Sequence, residues 1–275
     1  MKNIKHYAYP STVKEALAVL LNKKYKAMAL AGGTLVAKTL PDTIETYLDL
    51  KNLPINSIKL QGGNLVIGSG ATFDEIDRSG LCRSWAGGVI SSAAAKCSSQ
   101  LIRNMATIGG NIARPHSFNI FPVVLLGLDA KVRLQTKKGS RLIDFQDLYS
   151  SALGLRPGLD SLLTEIVIPA GTKKWKCEFI KLAKTGSSWE SYITLFFSAE
   201  KKGRNTLQVR VAVGALSPRP FRAPEAEQAL LSGTGPEAAA KAFAAELEAA
   251  RAGEYRSSAA SSLFKRFAAS VRGKL

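Results

Sequence analysis

The chain has 275 residues, long enough for a sizeable core and two or three small domains, and 46% of them are hydrophobic. No uninterrupted apolar run approaches the ~20 residues of a membrane span, no signal-peptide core follows the charged start Met1 to Tyr7, and Cys82, Cys97 and Cys177 form no Cys-x-x-Cys pair. The formal net charge of +17 is spread over pairs such as Lys23-Lys24, Lys137-Lys138 and Lys173-Lys174, a pattern that fits a solvated surface, with attraction to polyanions or to an acidic partner protein as the other reading.

A cytoplasmic protein without membrane contact is therefore expected. With only His6 and His116 to join the cysteines, neither a zinc site nor a cysteine-held cluster is expected, so any redox chemistry has to come from an organic cofactor. No nucleic-acid motif accompanies the basic charge, and no nucleic-acid partner is expected.

Thr12-x-x-Glu15 is a capping box, and Val13, Ala16, Leu17, Leu20 and Leu21 follow at helical spacing. The run Lys26 to Ala31 predicts a buried strand leading into Ala31-Gly32-Gly33-Thr34, and Tyr47 to Leu50 predicts another. This first α/β unit ends near Pro54. A second opens with the strand Asn64 to Gly68 and a second capping box, Thr72-x-x-Glu75. Small residues from Gly88 to Cys97 predict a closely packed helix, and Phe121 to Leu128, apolar on nearly every side, a short buried one. Strands are predicted over Lys131 to Thr136 and Arg141 to Phe145, around a hairpin turn at Lys137-Lys138-Gly139-Ser140, and over Leu162 to Ile168. Beyond Pro169 come long strands at Glu178 to Ala183, Tyr192 to Ala199 and Thr206 to Leu216, with a turn at 201–205. Helices follow from about Pro224 to Arg251 and from Ser258 to Val271, with a tail that frays beyond Arg272. An antiparallel sheet covered by helices is the expected third unit.

Two glycine pairs stand out, each with a threonine at its edge: Gly32-Gly33 before Thr34, and Gly109-Gly110 after Thr107. Without Cβ atoms, such loops bring main-chain N–H groups close to an anion or adopt positive φ. Two together can hold the two ends of a diphosphate, and each alone also reads as a plain turn.

Ala31-Gly32-Gly33-Thr34, Ile102-Arg103-Asn104, Thr107-Ile108-Gly109-Gly110-Asn111-Ile112 and Pro122-x-x-Leu125-Leu126-x-Leu128-Asp129-Ala130 occur in that order, followed by Leu163-Thr164-Glu165-Ile166, Phe179-x-Lys181 and Gly214-Ala215-Leu216-Ser217-Pro218. As a set they resemble the FAD-binding subunit of the molybdenum hydroxylases, the family of xanthine dehydrogenase and carbon monoxide dehydrogenase. The resemblance covers essentially the whole chain. It implies an α+β fold: two N-terminal α/β subdomains of the FAD-binding PCMH/vanillyl-alcohol-oxidase type at 1–54 and 55–170, then a C-terminal antiparallel-sheet-plus-helices domain of the CO dehydrogenase flavoprotein type at 171–275.

By this resemblance FAD is the cofactor, lined by Met28, Ala29 and Leu30, by Ala31, Gly32, Gly33, Thr34 and Leu35, and by Thr107, Gly109, Gly110 and Asn111. Cys97, Ser98, Asn119, Leu163 and Lys181 are carried over in the same way. The implied function is flavin-dependent electron transfer, with no catalytic side chain of its own and no metal. A molybdopterin-binding large subunit and a two-iron two-sulfur small subunit are the implied partners, and NAD or another acceptor takes the electrons. The alternative is a flavin-free scaffold subunit of the same kind of complex.

The chain departs from the family where Leu35 replaces the usual acidic residue after Gly-Gly-Thr, and where Arg114-Pro115-His116-Ser117-Phe118-Asn119 replaces small residues and an Asp. Arg114 either supplies donors to a diphosphate or faces solvent. His116 reads as a loop histidine rather than a proton carrier, and Phe118 as local core, with shielding of the flavin ring as its other reading. Arg256-Ser257-Ser258 stands for the family's Arg-Gly-Ser, and Trp85, Trp175 and Trp189 read as packing anchors.

Overall fold

In the computed structural model, residues 4–35, 43–185, 188, 190–202 and 206–272 are described. Trp189, the tip of the 201–205 turn and the end of the tail lie outside them.

The first unit is a parallel sheet ordered β1-β3-β2, with β1 at His6–Ala8, β2 at Ala27–Leu30 and β3 at Thr46–Asp49. Helix α1 (Val13–Leu21) makes the crossover from β1 to β2. Its capping box is formed: Thr12 Oγ1 accepts the Glu15 N–H while the Glu15 carboxylate reaches back to Thr12 N. Ala16 and Leu20 are buried with Leu48.

The second unit is an antiparallel sheet ordered β4-β5-β8-β6-β7, comprising β4 (Ile58–Gln61), β5 (Asn64–Gly68), β6 (Lys131–Thr136), β7 (Gly139–Asp144) and β8 (Leu162–Ile168). The helices lie between β5 and β6: α2 (Phe73–Arg78), α3 (Gly80–Ser84), α4 (Val89–Ala95), α5 (Gln100–Arg103), α6 (Ile108–Ile112) and α7 (Phe121–Gly127). Thr72 and Glu75 form the second capping box on α2. The β6–β7 hairpin closes with Thr136 opposite Gly139, so the turn is Lys137-Lys138 and the second strand starts two residues earlier than the sequence predicts. Trp85 is a packing anchor, its Nε1 donating to Thr172 Oγ1 at 2.9 Å.

The third unit is the antiparallel sheet β12-β11-β10-β9, built from β9 (Cys177–Leu182), β10 (Ile193–Lys202), β11 (Thr206–Gly214) and β12 (Phe221–Arg222). It is covered by α8 (Pro224–Leu231), α9 (Pro236–Ala249) and α10 (Glu254–Arg272). Residues 193–198 of β10 are buried on both faces, which is why Leu195, Phe196 and Phe197 follow one another without polar alternation. Leu195 and Phe197 enter the helix-covered core with Phe243, Phe264 and Phe267, while Phe196 enters the core of the second unit. Helix α7 is apolar all round because it is enclosed between the two cores; a Cβ on Gly127 would come 2.1 Å from the Phe196 ring. Arg210 and Arg222 pair with Asp129 just beyond α7, and Arg222 also pairs with Glu227. Among the described residues no helix is long and apolar enough to cross a membrane.

Candidate functional site

The three units surround a cavity of about 980 Å³, at the upper end of the ~300–1,000 Å³ range of small-molecule sites. The end of β2 carries the first glycine loop into it. Gly33 adopts φ +68°, a left-handed turn that glycine takes without Cβ strain, and Gly32 packs under the backbone of Met105. Among the described residues, the amides of Gly32, Gly33 and Thr34 and the Thr34 hydroxyl have no hydrogen-bond partner. This loop therefore offers donors toward the cavity.

The second loop is built differently. Gly109 N–H donates to Ser69 O at 2.8 Å, Gly110 N–H to Thr107 Oγ1 at 3.1 Å and Asn111 N–H to Thr107 O at 3.0 Å. Thr107 is the N-cap of α6 and takes the Gly110 amide, while Ser69 O takes that of Gly109, so neither glycine amide is left open for an anion. Gly109 serves close packing instead: a Cβ there would meet both Cβ and O of Ser69 at 2.6 Å. The Asn111 side chain accepts Phe121 N–H at 3.1 Å and donates to Asn119 Oδ1, and Asn119 Nδ2 donates to Arg114 O at 2.8 Å. These contacts fix the loop from Ala113 to Ile120.

Met28, Ala29, Ala31, Gly32, Gly33, Thr34, Leu35, Cys97, Ser98, Thr107, Gly109, Gly110, Asn111, Asn119 and Leu163 all line the cavity. Leu30 and Lys181 do not. Leu30 ends β2 with its carbonyl on Leu50 N–H at 2.9 Å, and its side chain lies beside Gly33. Lys181 lies behind the wall, its Nζ donating to Lys96 O at 3.0 Å and to Ser188 O, and burial lowers its pKa. It joins the segments that present Cys97 and Ser188 to the cavity.

Burial pushes the Cys97 thiol up to about 12, so it is a protonated wall residue rather than a nucleophile. Phe118 lines the cavity instead of filling local core, its ring against His116 with centroids 3.5 Å apart and planes tilted by 34°. Burial lowers the His116 pKa, with Glu190 opposing, so the imidazole is neutral at neutral pH. Arg114 is half-buried at the cavity, and its guanidinium has no partner among the described residues; the same holds for Arg256. Asn119 and Thr107 are buried.

Other lining residues carried little signal in the sequence. Pro157-Gly158-Leu159 forms a turn whose Gly158 carbonyl accepts Ala29 N–H at 2.9 Å, clamping β2; the Pro-Gly pair marks the turn but not its destination. Ser191 and Tyr192 arrive from the third unit by long-range packing.

The donor set can be tested against a ligand. Among the described residues, the buried hydroxyls of Ser69 and Ser191 have no hydrogen-bond partner, and both residues line the cavity. Free amides, two unpaired arginines and orphaned hydroxyls inside largely apolar walls fit a ligand with an aromatic body and an anionic, oxygen-rich portion. No group of His, Cys, Asp and Glu able to hold a metal occurs among the described residues.

Residues 2–171 match the family model described as the FAD binding domain in molybdopterin dehydrogenase, and residues 190–271 match the CO dehydrogenase flavoprotein C-terminal domain. The glyceraldehyde dehydrogenase medium chain of Sulfolobus acidocaldarius is 25% identical over 81% of this chain and 79% of its own length. The nicotine 6-hydroxylase medium subunit of Paenarthrobacter nicotinovorans is 26% identical over 88% and 86%. Carbon monoxide dehydrogenase from Hydrogenophaga pseudoflava superposes with a TM-score of 0.80 at 25% identity, covering 97% of this chain and 96% of that chain.

Proposed function

The chain belongs to the FAD-binding medium-subunit family of the molybdenum hydroxylases, with FAD as its cofactor, and we propose that it receives electrons from an iron-sulfur partner and delivers them to NAD or another soluble acceptor. FAD, when bound, supplies reversible electron uptake that no side chain here provides. A molybdopterin-binding large subunit and a two-iron two-sulfur small subunit complete the assembly in this reading. Substrate oxidation takes place on the former.

The observation that carries the proposal is the first glycine loop: three amides without partners among the described residues, at the edge of a cavity large enough for a dinucleotide. Gly32, Gly33 and Thr34 take the diphosphate through these amides and the Thr34 hydroxyl. Arg114 supplies counter-charge, a role strengthened because the Gly109, Gly110 and Asn111 amides of the second loop are already bonded within the protein. Thr107, Gly109, Gly110 and Asn111 shape the opposite wall, with Met28, Ala29, Ala31, Leu35, Cys97, Ser98, Asn119 and Leu163 completing the enclosure. Lys181 holds that enclosure from behind.

The test uses the complex co-purified with its partner subunits. Its flavin is measured by visible absorption, reduced anaerobically and exposed to NAD. Stoichiometric FAD that reoxidises as NADH appears supports the whole reading. Flavin that stays reduced with NAD but responds to a quinone or to dioxygen replaces the acceptor, and a flavin-free complex returns the chain to the role of scaffold.

A further inference from the structure

Ser69 follows β5 at the wall of the cavity, and its main chain is held on both sides. Its N–H donates to Thr164 O at 2.9 Å, and its carbonyl accepts Gly109 N–H at 2.8 Å. The start of α6 presses against it so closely that position 109 has no room for a Cβ. With the backbone fixed, only rotation about χ1 remains to aim the hydroxyl.

Ser69 is 3% exposed, and its Oγ is shut off from solvent with no hydrogen-bond partner among the described residues. An alanine would occupy the same place without a stranded donor, so the hydroxyl is a cost to the unliganded chain. Turned about χ1 toward the cavity that Ser69 lines, the hydroxyl recovers that cost on an acceptor that enters there.

Resting on the reading of this cavity as the FAD site, we propose that Ser69 is a cofactor-binding residue whose hydroxyl donates a hydrogen bond to an oxygen or nitrogen acceptor of FAD. Neither glycine loop contains it. It adds a contact from the end of β5, on the floor between α6 and β8.

The experiment compares the full-length wild-type chain with Ser69→Ala. FAD is titrated by the quenching of its fluorescence, and thermal unfolding is followed with and without FAD. The expected result is FAD binding weakened about 3- to 10-fold, an FAD-free midpoint unchanged or raised, and a smaller FAD-induced rise. Unchanged FAD affinity in Ser69→Ala beside a wild-type chain that binds FAD overturns this assignment and leaves the cofactor reading intact. Equal destabilisation with and without FAD marks a purely structural hydroxyl and also overturns it. A wild-type chain that takes up no FAD, both alone and assembled with its partner subunits, removes the cofactor reading and this contact together.

Discussion

Gly32 lies against the main-chain carbonyl of Met105 so closely that a Cβ at position 32 would sit 1.7 Å from the oxygen. The obstacle is backbone, which cannot rotate aside as a side chain can. Gly32→Ala therefore has to separate the first glycine loop from the segment after α5, at a cost of about 1–3 kcal/mol or more. Flavin content should collapse and the urea midpoint should fall. Gly33→Ala strains φ +68° by ~1–2 kcal/mol, and Gly33→Asn should recover part of that loss. A Gly32→Ala protein with normal flavin and normal stability would mean that the two segments are not in contact.

The second loop gives a contrast between neighbours. Gly109 has no space for a methyl beside Ser69, whereas a Cβ on Gly110 meets only Thr107 Oγ1, at 3.1 Å. Gly109→Ala is expected to lower stability by about 1–3 kcal/mol and to reduce FAD retention. Gly110→Ala should change either by much less. Chemical denaturation and flavin-to-protein ratios on the two variants check the order, and equal effects would refute it.

How much of this was legible in the sequence depends on the range of the interactions. The Thr12–Glu15 and Thr72–Glu75 boxes are closed within three residues, so the spacing alone announces them. The all-round apolar run of α7 announces enclosure, although not that Phe196 of β10 forms one wall. Strands β1 and β4 went unread because they are short and mostly exposed; pairing with β3 and β5 makes them strands, not any alternation of their own. The cavity's glycines were visible, but which of their amides stay free was not. That distinction rests on Thr107 capping α6 and on Ser69 O reaching Gly109 across the fold. Lys181 is displaced from the site for the same reason: its Nζ donates to the carbonyls of Ser188 and of Lys96, the latter 85 residues away in the sequence.

The side-chain amide of Asn119 is used as a donor. Nδ2 gives its hydrogen to Arg114 O at 2.8 Å, while Oδ1 receives one from Asn111. Asn119→Asp replaces the donor with a carboxylate facing a carbonyl oxygen at a buried position. The expected loss is about 1–3 kcal/mol of stability, with looser seating of the loop that carries Arg114, His116 and Phe118. Faster FAD dissociation together with a lower unfolding midpoint is the signature. An unchanged FAD off-rate would separate this loop from cofactor retention.

Tyr149 supplies an alkaline limb to the stability profile. Its hydroxyl is turned inward onto Ile112 O at 3.0 Å, at the end of α6, and burial raises its pKa well above the usual tyrosine value of about 10. Below pH ~10 the folded and unfolded states both keep the phenolic proton, and the group contributes no pH dependence. Above it the unfolded chain ionises while the folded one holds its proton, so the folded state binds more protons and stability falls as pH rises. The slope is about 1.4 kcal/mol per pH unit for this single group. Tyr149→Phe strands the Ile112 carbonyl and should cost about 1 kcal/mol at pH 7. It should also remove this one contribution above pH 10, so the wild-type advantage shrinks and reverses between pH 10 and 11. Urea unfolding of both proteins at pH 7, 9, 10 and 11 gives the difference directly, with the other tyrosines and lysines cancelling in the comparison. Parallel profiles across that range would show that the Tyr149 hydroxyl is not buried on Ile112.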